Sequence, residues 1–258
     1  MRIGTKIGNT VLIPLTVKAI DLLDIPGVVA FSTMRSATDV SDPYDGFNTC
    51  SYTGDAAEHV ESCRSEVAQL LGIDAGALIM PRQTHSANVK IIYRHSVSLE
   101  DTDALVTCMR QTALCIHTAD CVPVVMADVE AGVIGAAHSG WRGAEKRIVA
   151  ATVDAMCSLG ARPDRIVASM GPSICPKCFE VGDEVAQKFE RYGAVSRINH
   201  VAHVDLYRVV AATLEDAGVN SRNISLPPTC SLCDCDNYFS ARAMGVSSGR
   251  TLSVIMLR

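Results

Sequence analysis

The 258-residue chain is poor in aromatics, 5% in all with a single tryptophan, and it has no surplus of positive charge. Its 23 Lys and Arg against 28 Asp and Glu leave a formal net charge of −5, and no basic run is present that would track a phosphate backbone or an anionic membrane. Nucleic acid is not an expected partner. Long apolar runs are missing too: the opening stretch MRIGTKIGNTVLIPLTVKAIDLLDIPG breaks each apolar segment with charge or proline, so it reads as neither a signal-peptide core nor a membrane span. A cytoplasmic protein without membrane association is expected. Low-complexity tracts, internal repeats and long linkers are also absent, which leaves one domain over residues 1–258 as the expectation.

What is present is a hydrophobic content of 48%, ample for a sizeable core. The segments PGVVAFST, DALVT, ALCIHT, VPVVMAD, GVIGAAH and RIVASMG read as strands, and the near-continuous apolar runs between Ala104 and His138 suggest strands covered on both faces. ALIMPRQTH, NVKIIYR, NYFSAR and TLSVIMLR are further strand candidates. Helical spacing appears from about Asp55 to Gly72, in AEKRIVAATVDAMCSLG, in the second half of GPSICPKCFEVGDEVAQKFERYG and in DLYRVVAATLEDAGV. A mixed α/β fold follows.

Three short segments carry the chemistry. PRQTH, HTADCVP and AAHSGWRG place His85, Cys121 and His138 at connections or strand ends, where imidazole and thiolate can face a cleft. Two nitrogens and one sulfur suit a zinc-type ion, and three protein ligands leave a fourth position open for water or substrate. Buried packing and ordinary hydrogen bonding are the plain alternative for such residues. After His138, two glycines turn the chain into a helix whose first amides face any anion placed there, and Arg142 adds a planar fork of donors suited to phosphate. Asp120, beside Cys121, either orients a ligand or caps a turn. His117 reads as a strand histidine, with a supporting role at the cysteine as the alternative.

RQTHSANV, DALVT, TADCVPVVMAD, AAHSGWRG, GPSICPKCFEVGDEV, DLYRVVAATLEDAGV and YFSARAMGVSSGRTLSVI occur in the order and approximate spacing of the YfiH-type family, labelled multicopper polyphenol oxidoreductases or laccase-like proteins, which the chain resembles from about Phe31 to its C-terminus. The resemblance implies a single layered α/β/β/α-type catalytic domain. It also implies zinc held by His85, Cys121 and His138, with copper as the alternative ion. The implied activity is phosphorolysis of adenosine, inosine, guanosine or methylthioadenosine, together with adenosine deamination; purine nucleosides and phosphate are the implied partners. Catalysis would rest on His85, Cys121, His138 and Arg142. Substrate contacts would come from Asn48, Arg64, Gln83 and Arg242, with Arg250 a salt-bridging residue. The chain departs from the family pattern at Cys63, where an asparagine is usual, and at Ala241 and Ala243, where FSARA stands for an FSYRR-like segment.

Eleven cysteines remain to be placed, an odd number in a chain too large for a small disulfide framework. Cys175 and Cys178 form C-x-x-C, and Cys233 with Cys235 forms C-x-C near Cys230. Independent reduced thiols are the expectation, with a closed four-thiolate zinc site as the alternative. His200 and His203 are expected to serve local roles. Two rival activities use the same three central residues: a copper polyphenol oxidase, which would need many more histidines than the seven present, and a metal-free hydrolase with Cys121 as nucleophile and His138 as base.

Overall fold

A computed structural model describes residues 17–258. The expectation for the opening stretch therefore falls largely on residues outside the described part. Within it no helix is long and apolar enough to cross a membrane.

Two sheets form the centre. One runs in the order Ala19–Asp21, Val28–Thr33, Thr251–Leu257, Ala113–Thr118, Leu78–Ile79, and the other Ile224–Ser225, Val167–Met170, Val122–Asp128, Val133–Ser139, Ala104–Thr107, Val89–Ile91. Every residue of the strands Ala113–Thr118, Val122–Asp128, Val133–Ser139 and Thr251–Leu257 is buried, as their continuous apolar runs imply. Successive side chains divide between the two faces. Val122, Val124 and Met126 join a core with the helices Ile148–Ser158 and Leu206–Asp216, whereas Val125 and Ala127 meet Leu114, Ile116 and Ile255 of the facing sheet. On the far side of the first sheet, the helix Ala57–Leu71 inserts Cys63 and Val67 against Phe31 and Val254. The result is helix, sheet, sheet, helix, the layered mixed α/β arrangement expected.

Local chemistry explains where the elements stop. Gly72, at φ 69°, caps the helix Ala57–Leu71 by donating its amide to the carbonyls of Ala68 and Gln69. The helix Leu206–Asp216 begins at Asp205, whose carboxylate accepts the Arg208 amide.

Four expectations are corrected. AEKRIVAATVDAMCSLG is not one helix: Arg147 stands in the left-handed region at φ 60°, separating Trp141–Glu145 from Ile148–Ser158. The break lets Ile148, Val149, Val153 and Met156 all reach the sheet, while the Arg147 guanidinium donates to Asp216 at 3.0 Å and ties the corner to the neighbouring helix. NYFSAR is not a strand, because the Ser240 hydroxyl accepts the Ala243 amide and starts the short helix Ala241–Met244. The helical stretch after EVG is only Asp183–Ala186, continued as a tighter 3₁₀ turn over Gln187–Tyr192. ALIMPRQTH pairs only through Leu78–Ile79, since Pro81 has no amide for the ladder.

Candidate metal centre

The antiparallel pairing of Val122–Asp128 with Val133–Ser139 puts Pro123 opposite His138 and Val122 opposite Ser139. Cys121, one residue before the first strand, therefore lies beside Gly140, one residue after the second. His85 comes from the loop between Ile79 and Val89 and is held at φ 62°. One nitrogen from each histidine and the Cys121 Sγ all lie within 4.8 Å of one another, and Cys121 Sγ is 3.8 Å from His85 Nε2. Sulfur and nitrogen on one tetrahedral zinc ion are separated by about 3.6 Å. The three donors thus fit such an ion in kind and spacing.

Asp103 organises this cluster from below. Its fully buried carboxylate accepts the amides of Thr84 (3.1 Å), His85 (3.0 Å) and Ser86 (2.8 Å), the Ser86 hydroxyl (2.7 Å) and Nδ1–H of His138 (2.7 Å). One carboxylate thus fixes the loop that carries His85 and directs Nε2 of His138 to the other donors. Burial opposes ionisation of Asp103, but the hydrogen bond and charge of His138 and the two bonds from Ser86 hold it well below the usual carboxylate range. Burial likewise opposes charge on the other pair. The Coulombic pull and hydrogen bond of His138, with the contribution of His85, nevertheless bring the Cys121 thiol down to about 6, and Cys121 with Asp103 pushes His138 up to about 9. A thiolate is favoured where a cation would be held.

Gly140 is needed for space rather than backbone freedom, since its φ of −71° suits any residue. A Cβ there would stand 2.8 Å from Cys121 Sγ and 2.9 Å from His85 Cδ2, so the donors can converge only over a bare Cα. Gly140→Ala is expected to reduce bound metal and turnover at least about tenfold while shifting the melting temperature little, a pattern typical of a displaced ligand shell. Metal content and kcat/KM measured on the same preparation check this.

The cluster opens on a cleft of about 160 Å³ lined by Tyr52, Gln83, His117, Arg250 and Ala241 as well as the three donors. Tyr52 and His117 also line an adjoining cavity of about 640 Å³ that includes Arg64 and Arg82. Other anticipated residues are placed differently. Asn48 is buried, its carbonyl accepting the amides of Cys50 and Arg250 and its NH₂ donating to Asp55. Gln83 pairs both ways with the His117 backbone, at 2.7 and 2.8 Å. Arg142 is exposed with its guanidinium 4.2 Å from the centroid of Trp141, and Arg242 donates to the Glu180 carbonyl; neither lines the cleft. Arg250 does, and among the described residues it makes no salt bridge, donating instead to the carbonyls of Val246, Ser248 and Gly249. Asp120 accepts the Ser231 hydroxyl and the Arg242 amide, both at 2.7 Å, so it joins loops rather than touching a donor.

Sequence reasoning passed over Asp103 and Tyr52, and it gave Arg250 a salt-bridging role instead of a place in the cleft. Asp103 was visible as an acid opening the apolar strand DALVT, a costly position for an unpaired carboxylate. His117 is a strand residue as expected, but it also faces the cleft. Its Nε2 pairs with Thr49 Oγ1 at 2.9 Å, Nδ1 is buried without a protein partner, and burial, with the positive charges of Arg64 and Arg250, brings its pKa down to about 3.

The sequence matches the family described as multi-copper polyphenol oxidoreductase laccase over residues 29–258. The chain belongs to that family. A relative from an unknown prokaryotic organism, named adenosine deaminase RL5, is 43% identical over 249 residues, covering 90% of this chain and 94% of its own length. A purine nucleoside phosphorylase of Deinococcus radiodurans is 38% identical over 249 residues, with 94% and 95% covered. Among solved structures, the YfiH protein of Bacillus licheniformis superposes with a TM-score of 0.83 at 29% identity, covering 90% of this chain and 93% of that one. Within this laccase-labelled family the present chain has the layered fold that the resemblance implies, and its two histidines and one cysteine lie within 4.8 Å of one another.

Proposed function

We propose that the protein is a zinc-dependent purine nucleoside phosphorylase that also deaminates adenosine, with His85, Cys121 and His138 holding the ion. The convergence of these three donors at the end of a cleft large enough for a small molecule carries the reading. The names of two relatives supply the substrate class. Eleven free cysteines fit a reducing, cytoplasmic setting.

When bound, zinc supplies a Lewis acid at the open position for activating water or stabilising a departing purine. The chain's own residues must bind and orient. A nucleoside in the larger cavity reaches the donors past Tyr52 and His117, whose rings meet edge to face with centroids 6.1 Å apart. His117 stays neutral at physiological pH, so it adds no charge to the cleft wall that it lines. Arg250 brings positive charge to the cleft wall for phosphate, whereas Arg142 lies outside that wall with its guanidinium over Trp141. In phosphorolysis a phosphate oxygen bonds to the anomeric carbon as the bond to purine N9 breaks. In deamination water adds at C6 and ammonia leaves.

Copper oxidation of phenols, the reaction in the family's label, is disfavoured by the other histidines. Among the described residues the ligating groups include His85 and His138 but none of His59, His95, His117, His200 or His203, so no histidine-rich oxygen-reducing centre is assembled there. Incubation of purified protein with adenosine and with inosine, each with and without phosphate, is expected to yield free base and ribose 1-phosphate only when phosphate is present. Inosine should form from adenosine in either case. Absence of all these products would refute the assignment.

A further inference from the structure

The molecule has a second cluster of ligating groups, apart from the His85, Cys121 and His138 donors. Strands Val167–Met170 and Ile224–Ser225 lie parallel at one edge of the six-stranded sheet, so the loops that follow them leave the same end side by side. Those loops are joined by a backbone bridge between Ser173 and Cys230, and the Ser231 amide donates to the Ser173 carbonyl at 3.1 Å. Cys175 and Cys178 stand on one loop, Cys230 and Cys233 on the other. The pairing partner of Cys233 is thus Cys230, in a second C-x-x-C, and Cys235 is not part of the group.

All four sulfurs lie within 4.8 Å of one another, and Cys178 Sγ is 3.4 Å from Cys233 Sγ. A tetrahedron of thiolates around zinc, with metal–sulfur distances of roughly 2.3 Å, has an edge of about 3.8 Å. Cys230 Sγ also accepts the amides of Cys175 (3.2 Å) and Cys233 (3.5 Å), bonds that stabilise a sulfur carrying negative charge. Independent thiols, the expectation from spacing, do not gather in this way. No imidazole or carboxylate belongs to the group, and four protein ligands fill a tetrahedral ion, leaving no place for substrate.

The loops it would join also carry the contacts of Asp120, which sits at φ 83° immediately before Cys121. Ser231, between Cys230 and Cys233, donates its hydroxyl to the Asp120 carboxylate at 2.7 Å, and the amide of Ile174, next to Cys175, donates to the Asp120 carbonyl at 2.9 Å. We propose that Cys175, Cys178, Cys230 and Cys233 form a structural zinc site of four thiolates that clasps these two loops and thereby holds the strained turn presenting Cys121.

The test starts from full-length protein prepared under reducing conditions, in wild-type form and as the double variant His85→Ala/His138→Ala, which removes two donors of the first cluster. Elemental analysis is expected to find two zinc per wild-type chain and one in the variant. X-ray absorption of the variant should show a shell of four sulfurs, and its cobalt-substituted form an intense sulfur-to-metal charge-transfer band. The further change Cys178→Ser/Cys233→Ser should abolish the remaining zinc. Amide hydrogen exchange in segments 173–175 and 229–233 of the His85→Ala/His138→Ala variant should slow when zinc is added back to chelated protein.

A variant that keeps no zinc, or keeps it with nitrogen or oxygen ligands, would overturn the site, as would a wild-type mass lower by four hydrogens from two disulfides. Zinc binding without any slowing of exchange would overturn the clasp. Because the cobalt and absorption measurements need no substitution among the four cysteines, misfolding of a cysteine variant does not decide the outcome.

Discussion

Replacing Asp103 with alanine is expected to lower stability by about 4 kcal/mol and kcat/KM by about 100-fold. The first figure follows from what is left behind: the buried Nδ1–H of His138 loses its acceptor at about 1–3 kcal/mol, and the part-buried amides of Thr84, His85 and Ser86 lose theirs at a smaller cost each. In a chain of this size such a loss lowers the melting temperature by roughly 10 °C. The second figure reflects position. His85 occupies a left-handed conformation that a non-glycine residue adopts only under constraint, and Asp103 supplies that constraint through three consecutive amides. Without it His85 relaxes away from Cys121, and His138 loses the bond that sets its tautomer. Asp103→Asn keeps one acceptor oxygen but turns an NH₂ toward donors, so it should fall between wild type and alanine in both measurements. Thermal melts and steady-state kinetics on the three proteins check the order, and an Asp103→Ala protein with wild-type melting and turnover would remove Asp103 from the site.

That Asp103 escaped a reading of the sequence, while His85, Cys121 and His138 did not, has a physical basis. The three donors are rare residue types at chain turns, each flanked by residues with a separate local signal: Pro81 before His85, the TADC turn at Cys121, and the glycines after His138. Asp103 is a common residue type, and its role depends on a loop folding over it from eighteen residues upstream. Strands covered on both faces were legible in the continuous apolar runs, whereas the order of the layers was implied by the family resemblance. The finer divisions were not legible, because the left-handed turn at Arg147 and the Ser240 cap that makes NYFSAR start a helix are decided by tertiary contacts worth as much as local propensity. The four-thiolate cluster was half legible. Two C-x-x-C pairs stand in the sequence, but only the parallel pairing of Val167–Met170 with Ile224–Ser225 brings their loops together. Arg250 entered the cleft for a similar reason, since its backbone is fixed through Asn48, 202 residues away.

Cys121→Ala is expected to reduce kcat/KM by at least about 1,000-fold, which is roughly 4 kcal/mol of transition-state stabilisation. The loss alone does not distinguish a ligand from a nucleophile, because Cys121 and His138 also have the properties of a thiolate–imidazolium pair, with the thiol near 6 and the imidazole near 9. Changing the residue to aspartate separates the two. A carboxylate can ligate zinc at a similar distance, so Cys121→Asp should retain bound zinc and recover part of the activity lost in the alanine variant. An attacking sulfur has no such substitute, and the aspartate protein would then be as inactive as alanine. Chelation supplies the complementary arm: removal of the ion should silence the wild-type protein and readdition of zinc restore it, whereas a metal-free hydrolase would be indifferent to both. Copper at this position would announce itself through a sulfur-to-copper absorption band lost in both variants, while zinc leaves the visible spectrum empty. Gly140 adds a constraint that favours ligation. Its missing Cβ makes room for Cys121 Sγ and the His85 ring together, yet a cysteine nucleophile would need only His138, already aligned by Asp103.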